Sequence, residues 1–326
     1  MPAEHRARHA ESRRVYRWLL ALGAAGLGLC ALVLAAGIHS VRVAPGSAHR
    51  VDVAGVRLTY PVVNAAAALL LGLALLGGAV LLATARAAWR QVQATRRMTR
   101  SLPVIGRLAG QPTVLIVDAT APVAFCAGWL RPRVYVSSGV LNRLSERELQ
   151  AVLAHEHQHW ALRDPLRLAV GRVLCQALFF LPVLDALHSD YADAAELTAD
   201  AAALVALDGA GAVLASAMLT LGAAGSDGEV AISSRRVDAL LGHPVDWQRP
   251  RLLLGTGLAT LALLVALVWR ASAGASIEAS LNLPIASSQP CILVLALVPV
   301  LAGVAAALMR RPVRARAGAG AQLAHR

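Results

Sequence analysis

The chain has 326 residues and a formal net charge of +12, from 31 basic residues, all arginine, against 19 acidic ones. With 57% hydrophobic and only 15% charged residues it is too apolar for a disordered chain, and its 4 scattered cysteines exclude a disulfide-stapled scaffold. A basic total raises nucleic acid as a partner, but an apolar excess of this size points to a lipid bilayer, and no nucleic acid is expected.

Four charge-free runs carry that reading in chain order. Trp18–Val41 is 24 residues long, Leu58–Ala85 is 28, Leu252–Trp269 is 18 and Ala279–Met309 is 31. Each reaches the roughly 18–20 residues that a helix needs to cross about 30 Å of hydrocarbon. Trp18, Tyr60 and Trp269 stand at run ends, where interfacial aromatics are favoured. The first run follows 17 polar, basic residues and is longer than a signal-peptide core, so it reads as a retained anchor. A fifth apolar stretch, 173–184, is too short to span and reads as a buried or re-entrant helix.

Arginine sets the orientation. Residues 1–17 carry five arginines, 86–107 carry six with no acid, and the tail after Met309 carries five. The positive-inside rule then puts both termini and the long stretch 86–251 in the cytoplasm of a multi-pass protein of the plasma membrane. The basic loops face anionic lipid headgroups. The chain divides into a basic N-terminus (1–17), two transmembrane helices with a short outside loop (18–85) and a basic linker (86–112). A soluble domain (113–250), two more transmembrane helices (251–309) and a basic tail (310–326) follow. The cysteines lie in apolar surroundings and read as inert, reduced thiols.

The soluble part opens with β-branched runs, Thr113–Asp118 and Arg133–Ser137. The strand around Val134–Val136 is a candidate to pair with an extended substrate backbone. Ser145 with Glu148 forms a capping box, so a helix is expected from Glu146, with Leu149, Val152 and Leu153 on its apolar stripe. That helix carries His155-Glu156-His157-Gln158-His159. Histidines at i and i+4 share one face and suit a single zinc ion, and Glu156 is placed to act as general base on a zinc-activated water. His157 points off that face.

A catalytic zinc takes a third protein ligand. Ser189–Ala203 reads as a second helix, capped by Ser189 and followed by Gly209, with Asp190 and Asp193 as first-turn acids. Glu196 is its candidate ligand, and Asp200, one turn on, is placed to accept a hydrogen bond from a ligating histidine. Asp164, before Pro165, is a further candidate for such a supporting carboxylate. A second donor to the developing oxyanion is sought among His188, Tyr191, Arg235, Arg236 and His243.

The string Arg133-Val-Tyr-Val-Ser-Ser-Gly-Val-Leu141, Leu149-Gln-Ala-Val-Leu-Ala-His-Glu156, Asp164-Pro-Leu166 and Glu196-Leu-Thr-Ala-Asp200 resembles membrane-embedded gluzincin peptidases. The nearest pattern is that of the BlaR/MecR antirepressor peptidases, with similar motifs in the HtpX and Ste-type CAAX peptidases. The resemblance covers about residues 113–242, including Arg235-Arg-Val-Asp-Ala-Leu-Leu241. It implies a mainly α membrane protein: about four transmembrane helices plus a cytoplasmic α+β zincin-like domain with a small sheet and an HExxH helix. It implies a zinc endopeptidase acting on protein or peptide substrates, with one Zn2+ held by His155, His159 and Glu196, and Glu156 as base. The BlaR/MecR receptors carry a penicillin-binding sensor after their last span; here 17 residues follow Met309, so antibiotic sensing is not carried over. The role expected is regulatory or quality-control proteolysis, the alternative an antirepressor-like membrane signal transducer in which proteolysis is secondary or lost.

Overall fold

The structure is a computed structural model that describes residues 2–39, 42–45, 49–53, 56–60, 62–222, 235–236, 238 and 251–279. The chain divides into two compact units. One contains Met1–Gly26 and Thr84–Thr260, the other Leu27–Ala83 and Leu261–Arg326.

The second unit is built from the apolar lengths of three long helices, α1 (Pro2–His39), α2 (Ala65–Ser101) and α8 (Arg251–Gly274), with short strands at their ends. Among the described residues these three helices are long and apolar enough to cross a membrane, over Ala7–His39, Ala65–Ser101 and Leu252–Gly274. The fourth expected span lies outside the described residues, apart from Ala279. The charge-free run that opens at Leu58 does not become helix until Ala65. Asn64 caps it there, its Oδ1 accepting from Ala67 N at 2.8 Å, while its Nδ2 donates to the Gly274 carbonyl at 2.7 Å. Small residues bring α1 and α2 together: a Cβ on Gly77 would lie 2.7 Å from the Cys30 carbonyl oxygen, and one on Gly37 2.5 Å from the Ala74 Cβ. Between α1 and α2 the described residues include four strands: β1 (Arg42–Pro45), β2 (His49–Val53), β3 (Val56–Tyr60) and β4 (Val62–Val63). β2 and β3 form an antiparallel hairpin, while β1 and β4 flank β9 (Ser276–Ala279).

The first unit holds a four-stranded sheet in the order β5 (Val104–Leu108), β6 (Gln111–Val117), β8 (Arg133–Ser137), β7 (Ala124–Ala127). The sheet therefore starts before residue 113, and the stretch 86–101 is not a separate linker but the continuation of α2. β6 and β8 run parallel; β5 and β7 pair antiparallel on the outside. Strand alternation sends Val114, Val134 and Val136 to one face, where they pack with Val140 and Leu153, and Leu115, Val117 and Tyr135 to the other. After β8 the Ser137 hydroxyl caps the short helix α3 (Ser138–Arg143) through Val140 N at 3.2 Å.

Helices α4 (Glu146–Leu162), α5 (Asp164–Ala177), α6 (Val183–Ala206) and α7 (Gly211–Gly222) follow. α4 opens at Glu146 with the full Ser145/Glu148 capping box. Its most extensive packing is on α6. Two expectations fail here. Residues 173–184 are not one helix but the end of α5, a turn through Leu178–Pro182 and the start of α6; Val173, Leu174, Leu178, Leu181, Val183 and Leu184 are buried, while Phe179 is exposed. The second site helix begins at Val183 rather than after Ser189, so Ser189, Asp190 and Asp193 lie within it. Burial of Val183, Leu184 and Leu187 extends the helix backwards over a segment with no capping signal of its own.

Candidate metal centre

α4 and α6 face each other, and His155, His159 and Glu196 meet between them. The 3.6-residue period stacks the two histidines one turn apart, with their Nε2 atoms 3.2 Å apart. Glu196 spans both, Oε2 lying 3.6 Å from His155 Nε2 and Oε1 3.5 Å from His159 Nε2.

Each ring is held from behind by a carboxylate. His159 Nδ1 is 2.9 Å from Asp164 Oδ2, and Asp164, 1% exposed, accepts a second hydrogen bond from the Tyr191 hydroxyl at 2.5 Å. His155 Nδ1 lies 3.0 Å from Asp200 Oδ1, off the line of a well-directed hydrogen bond. Asp200 is in turn gripped by Arg236, whose Nε and Nη2 donate to its two oxygens at 2.9 Å each. Arg236 Nη1 also reaches Glu196 Oε2 at 2.9 Å.

Asp164 reaches His159 because the chain turns sharply between α4 and α5. Arg163, with φ 55° and ψ 40°, sits in the left-handed region at that junction. The next residue, Asp164, opens α5 directly behind the end of α4. Glu156 is buried beside the histidines at 8% exposure. His157 turns away, its Nδ1 2.8 Å from the Leu153 carbonyl.

The electrostatics follow from the crowding. Burial works against charge on both histidines, yet the acids beside them outweigh it. Asp200 and Glu196 hold His155 at about 9, and Asp164 and Glu196 hold His159 at about 10. Burial likewise opposes ionisation of Glu196 and Asp200, but the histidines, with Arg236 at Asp200, keep both below the ordinary carboxylate range. Burial, then Asp164, raises the Tyr191 hydroxyl far above its ordinary value, so it stays a donor. Burial, then Glu156 and Asp164, pushes the Cys126 thiol up to about 12, which fits an inert thiol.

The donor set fits a metal ion. With both Nδ1 atoms turned to carboxylates, the two Nε2 atoms and the Glu196 carboxylate converge on one point, where a metal ion would take the place of ring protons. Two imidazoles and one carboxylate suit zinc with an open position for water or substrate.

The remaining candidates fall elsewhere. Tyr191 serves Asp164 instead of facing the open side of the site. Arg235 pairs with Asp190 and Asp193, at 2.8 Å each. Arg236 is committed to Asp200 and Glu196. His188 packs over Gly171, where a Cβ would lie 2.5 Å from its Nδ1. His243 lies outside the described residues. β8 is paired on both edges, by β6 and β7, so it has no edge for a substrate strand; among the described strands beside α4, the free edge belongs to β7. The support of Asp164 by Tyr191 was hidden in the sequence, where 27 residues separate the two, and only an acid directly after the HExxH helix hinted at it.

The chain thus combines an HExxH helix, a His/His/Glu group that could hold a metal ion, and three helices long and apolar enough to cross a membrane. Residues 85–221 match the model of Peptidase family M48. Over 63 residues the chain is 43% identical to Protease HtpX of Nitrosococcus oceani, covering 19% of this chain and 21% of that protein. It is 40% identical over 77 residues to Protease HtpX of a Psychrobacter species (22% and 25%). It is also 37% identical over 98 residues to Protease HtpX of Acinetobacter baumannii (28% and 33%). The alignments thus span a fifth to a third of these relatives' length. No solved structure matches.

Proposed function

We propose that the chain is an integral-membrane, zinc-dependent endopeptidase of the M48 type, with its site in the cytoplasm. The observation that carries this reading is the convergence of His155, His159 and Glu196, with Glu156 buried beside them on α4. The likeness to HtpX supports the class, while the narrower BlaR/MecR-type reading rests on the motif string alone. Bound at the three ligands, zinc would act as Lewis acid towards water and the scissile carbonyl.

The chain's own residues do the rest. Asp164 accepts the Nδ1 proton of His159, and Asp200 lies against Nδ1 of His155, so both rings present Nε2 to the same point. Glu156 takes a proton from the attacking water and passes it to the leaving amine. The free edge of β7 offers backbone groups to an extended peptide, which favours unfolded or locally unfolded protein substrates. Regulatory or quality-control proteolysis follows from that preference and from the membrane anchor.

The test is metal analysis and peptide cleavage on detergent-purified wild type, Glu156→Ala and His159→Ala. About one zinc per chain in wild type and Glu156→Ala, lost in His159→Ala, with cleavage only in wild type, supports the proposal. Equal zinc in all three, or cleavage unchanged by Glu156→Ala, rejects it.

A further inference from the structure

We propose that the first unit carries a second binding site, for a phosphate-bearing anion, in an arginine-lined cavity built at the ends of β6 and β8 and the end of α4. The cavity measures about 490 Å³ and takes in Arg107, Arg131, Arg133, Arg163 and Trp160, and no carboxylate lines it. That volume lies within the range of about 300–1,000 Å³ usual for small-ligand sites. The proposal is independent of the peptidase reading.

Three observations favour a binding site over an ordinary basic surface. The four guanidinium groups come from four places: β5, the loop before β8, β8 itself and the α4–α5 junction. All four arginines are exposed, so water screens much of their mutual repulsion; among the described residues none of them forms an ion pair, which leaves four guanidinium groups available to an anion in the cavity.

The walls are also fixed. Trp160 Nε1 donates to the Pro132 carbonyl at 3.1 Å, and Trp129 Nε1 donates to Thr95 Oγ1 at 3.2 Å, pinning the loop that supplies Arg131. A Cβ on Gly128, at φ +112°, would lie 2.8 Å from the Arg131 carbonyl oxygen, so that loop closes tightly. The backbone that carries Arg131 is therefore fixed before any ligand arrives.

Third, Arg163 occupies a left-handed backbone conformation that glycine or asparagine would adopt at lower cost. That conformation ends α4, the Arg163 N–H donating to the His159 and Trp160 carbonyls, and it aims the Arg163 side chain into the lining of the cavity.

A guanidinium fork matches carboxylate and phosphate alike, but a phosphate presents more acceptor oxygens, pointing in different directions, so several forks from separate elements can share it. The ligand class is thus a phosphate group, supplied by a phospholipid headgroup or by a free phosphate compound.

The test titrates full-length protein in nonionic detergent with inorganic phosphate and, separately, with short-chain phosphatidylglycerol, following heat and melting temperature. Saturable binding of either probe, weakening with added salt, is expected, and the tighter probe identifies the source. Arg163→Gly and Arg131→Gln should each weaken binding about tenfold, the loss of one charge-assisted contact. Arg163→Gly should leave the melting temperature unchanged or raised. Absence of binding by both probes, binding unaltered in both variants, or binding of an acidic peptide in preference to either probe would overturn the site. A lowered melting temperature with intact binding in Arg163→Gly would show that Arg163 serves the fold, and would also overturn it.

Discussion

Tyr191 on α6 donates its hydroxyl to Asp164 at 2.5 Å, and Asp164 in turn fixes the ring of His159. A residue remote from the HExxH helix in sequence thereby orients one of the expected metal ligands. Tyr191→Phe removes one of the two hydrogen bonds to a carboxylate that is 1% exposed. The expected loss is about 1–3 kcal/mol of stability, with zinc affinity lower by about tenfold. Asp164→Asn should weaken zinc more than Tyr191→Phe does, because it removes the negative charge behind the His159 Nδ1 proton and leaves a single weaker acceptor. Denaturant melts and competition with a chromogenic chelator measure the two effects; a Tyr191→Phe protein with wild-type values of both would break the relay.

Arg236 stands behind the other histidine. Its fork holds Asp200, 2% exposed, and its third nitrogen reaches Glu196. Arg236→Gln takes the guanidinium from a buried carboxylate and leaves it only His155, so the expected loss lies below the about 3–5 kcal/mol of a buried charge left with no partner. The sign with pH follows from the depressed Asp200 ionisation. A carboxylate held below its unfolded value contributes stability above that value, and the contribution is lost as pH falls towards the folded one. Wild-type stability should therefore drop on acidification below about pH 4, and Arg236→Gln should flatten that drop. Melting temperatures from pH 3 to 7 for both proteins decide it.

What the sequence made legible were features written locally. The capping box at Ser145 and the i, i+4 histidines sit within a few residues of each other, so the start of α4 and its ligand face could be read directly. The extension of α6 back to Val183 could not, because it depends on burial of Leu184 and Leu187 against other elements. The enclosure of β8 was equally hidden: it depends on β7, four residues of weak strand character (Ala124-Phe-Cys-Ala127) that pair only in the tertiary fold. Arg236 illustrates the same limit. The sequence offered it as a donor to substrate, and only the meeting of residues 36 apart shows that its charge is spent on Asp200.

Metal binding should be strongly dependent on pH. In the metal-free protein the histidine pair holds protons above the ordinary range, at about 9 for His155 and about 10 for His159. Those protons add stability that is fully present below about pH 6.5 and lost as pH rises through the raised values. A metal ion must displace them, so affinity rises with pH, by about tenfold per unit for each proton released. Zinc competition assays between pH 6.5 and 8.5 should show this rise, with a release of one to two protons in weakly buffered calorimetry. Chelation at pH 7.5 should lower the melting temperature, and less so at pH 6, where protons replace the ion. Affinity independent of pH would mean that the histidines are already deprotonated without metal.

The second unit can be tested without reference to catalysis. Gly77 of α2 sits so close to α1 that a Cβ would fall 2.7 Å from the Cys30 carbonyl oxygen, which belongs to helix backbone and cannot swing aside. Gly77→Ala must therefore push the two helices apart, at about 1–3 kcal/mol for overpacking. Gly72, on the same helix five residues earlier, has open space where a Cβ would sit, with nothing within 4 Å. Gly72→Ala should be neutral or stabilising by up to about 1 kcal/mol, from the helix propensity that alanine adds. Melting both variants in the same detergent isolates the contact from the propensity, since both substitutions add one methyl group to one helix. A fall in melting temperature for Gly77→Ala alone marks close α1–α2 packing as a determinant of stability; equal behaviour of the two variants would mean that the helices do not pack through Gly77.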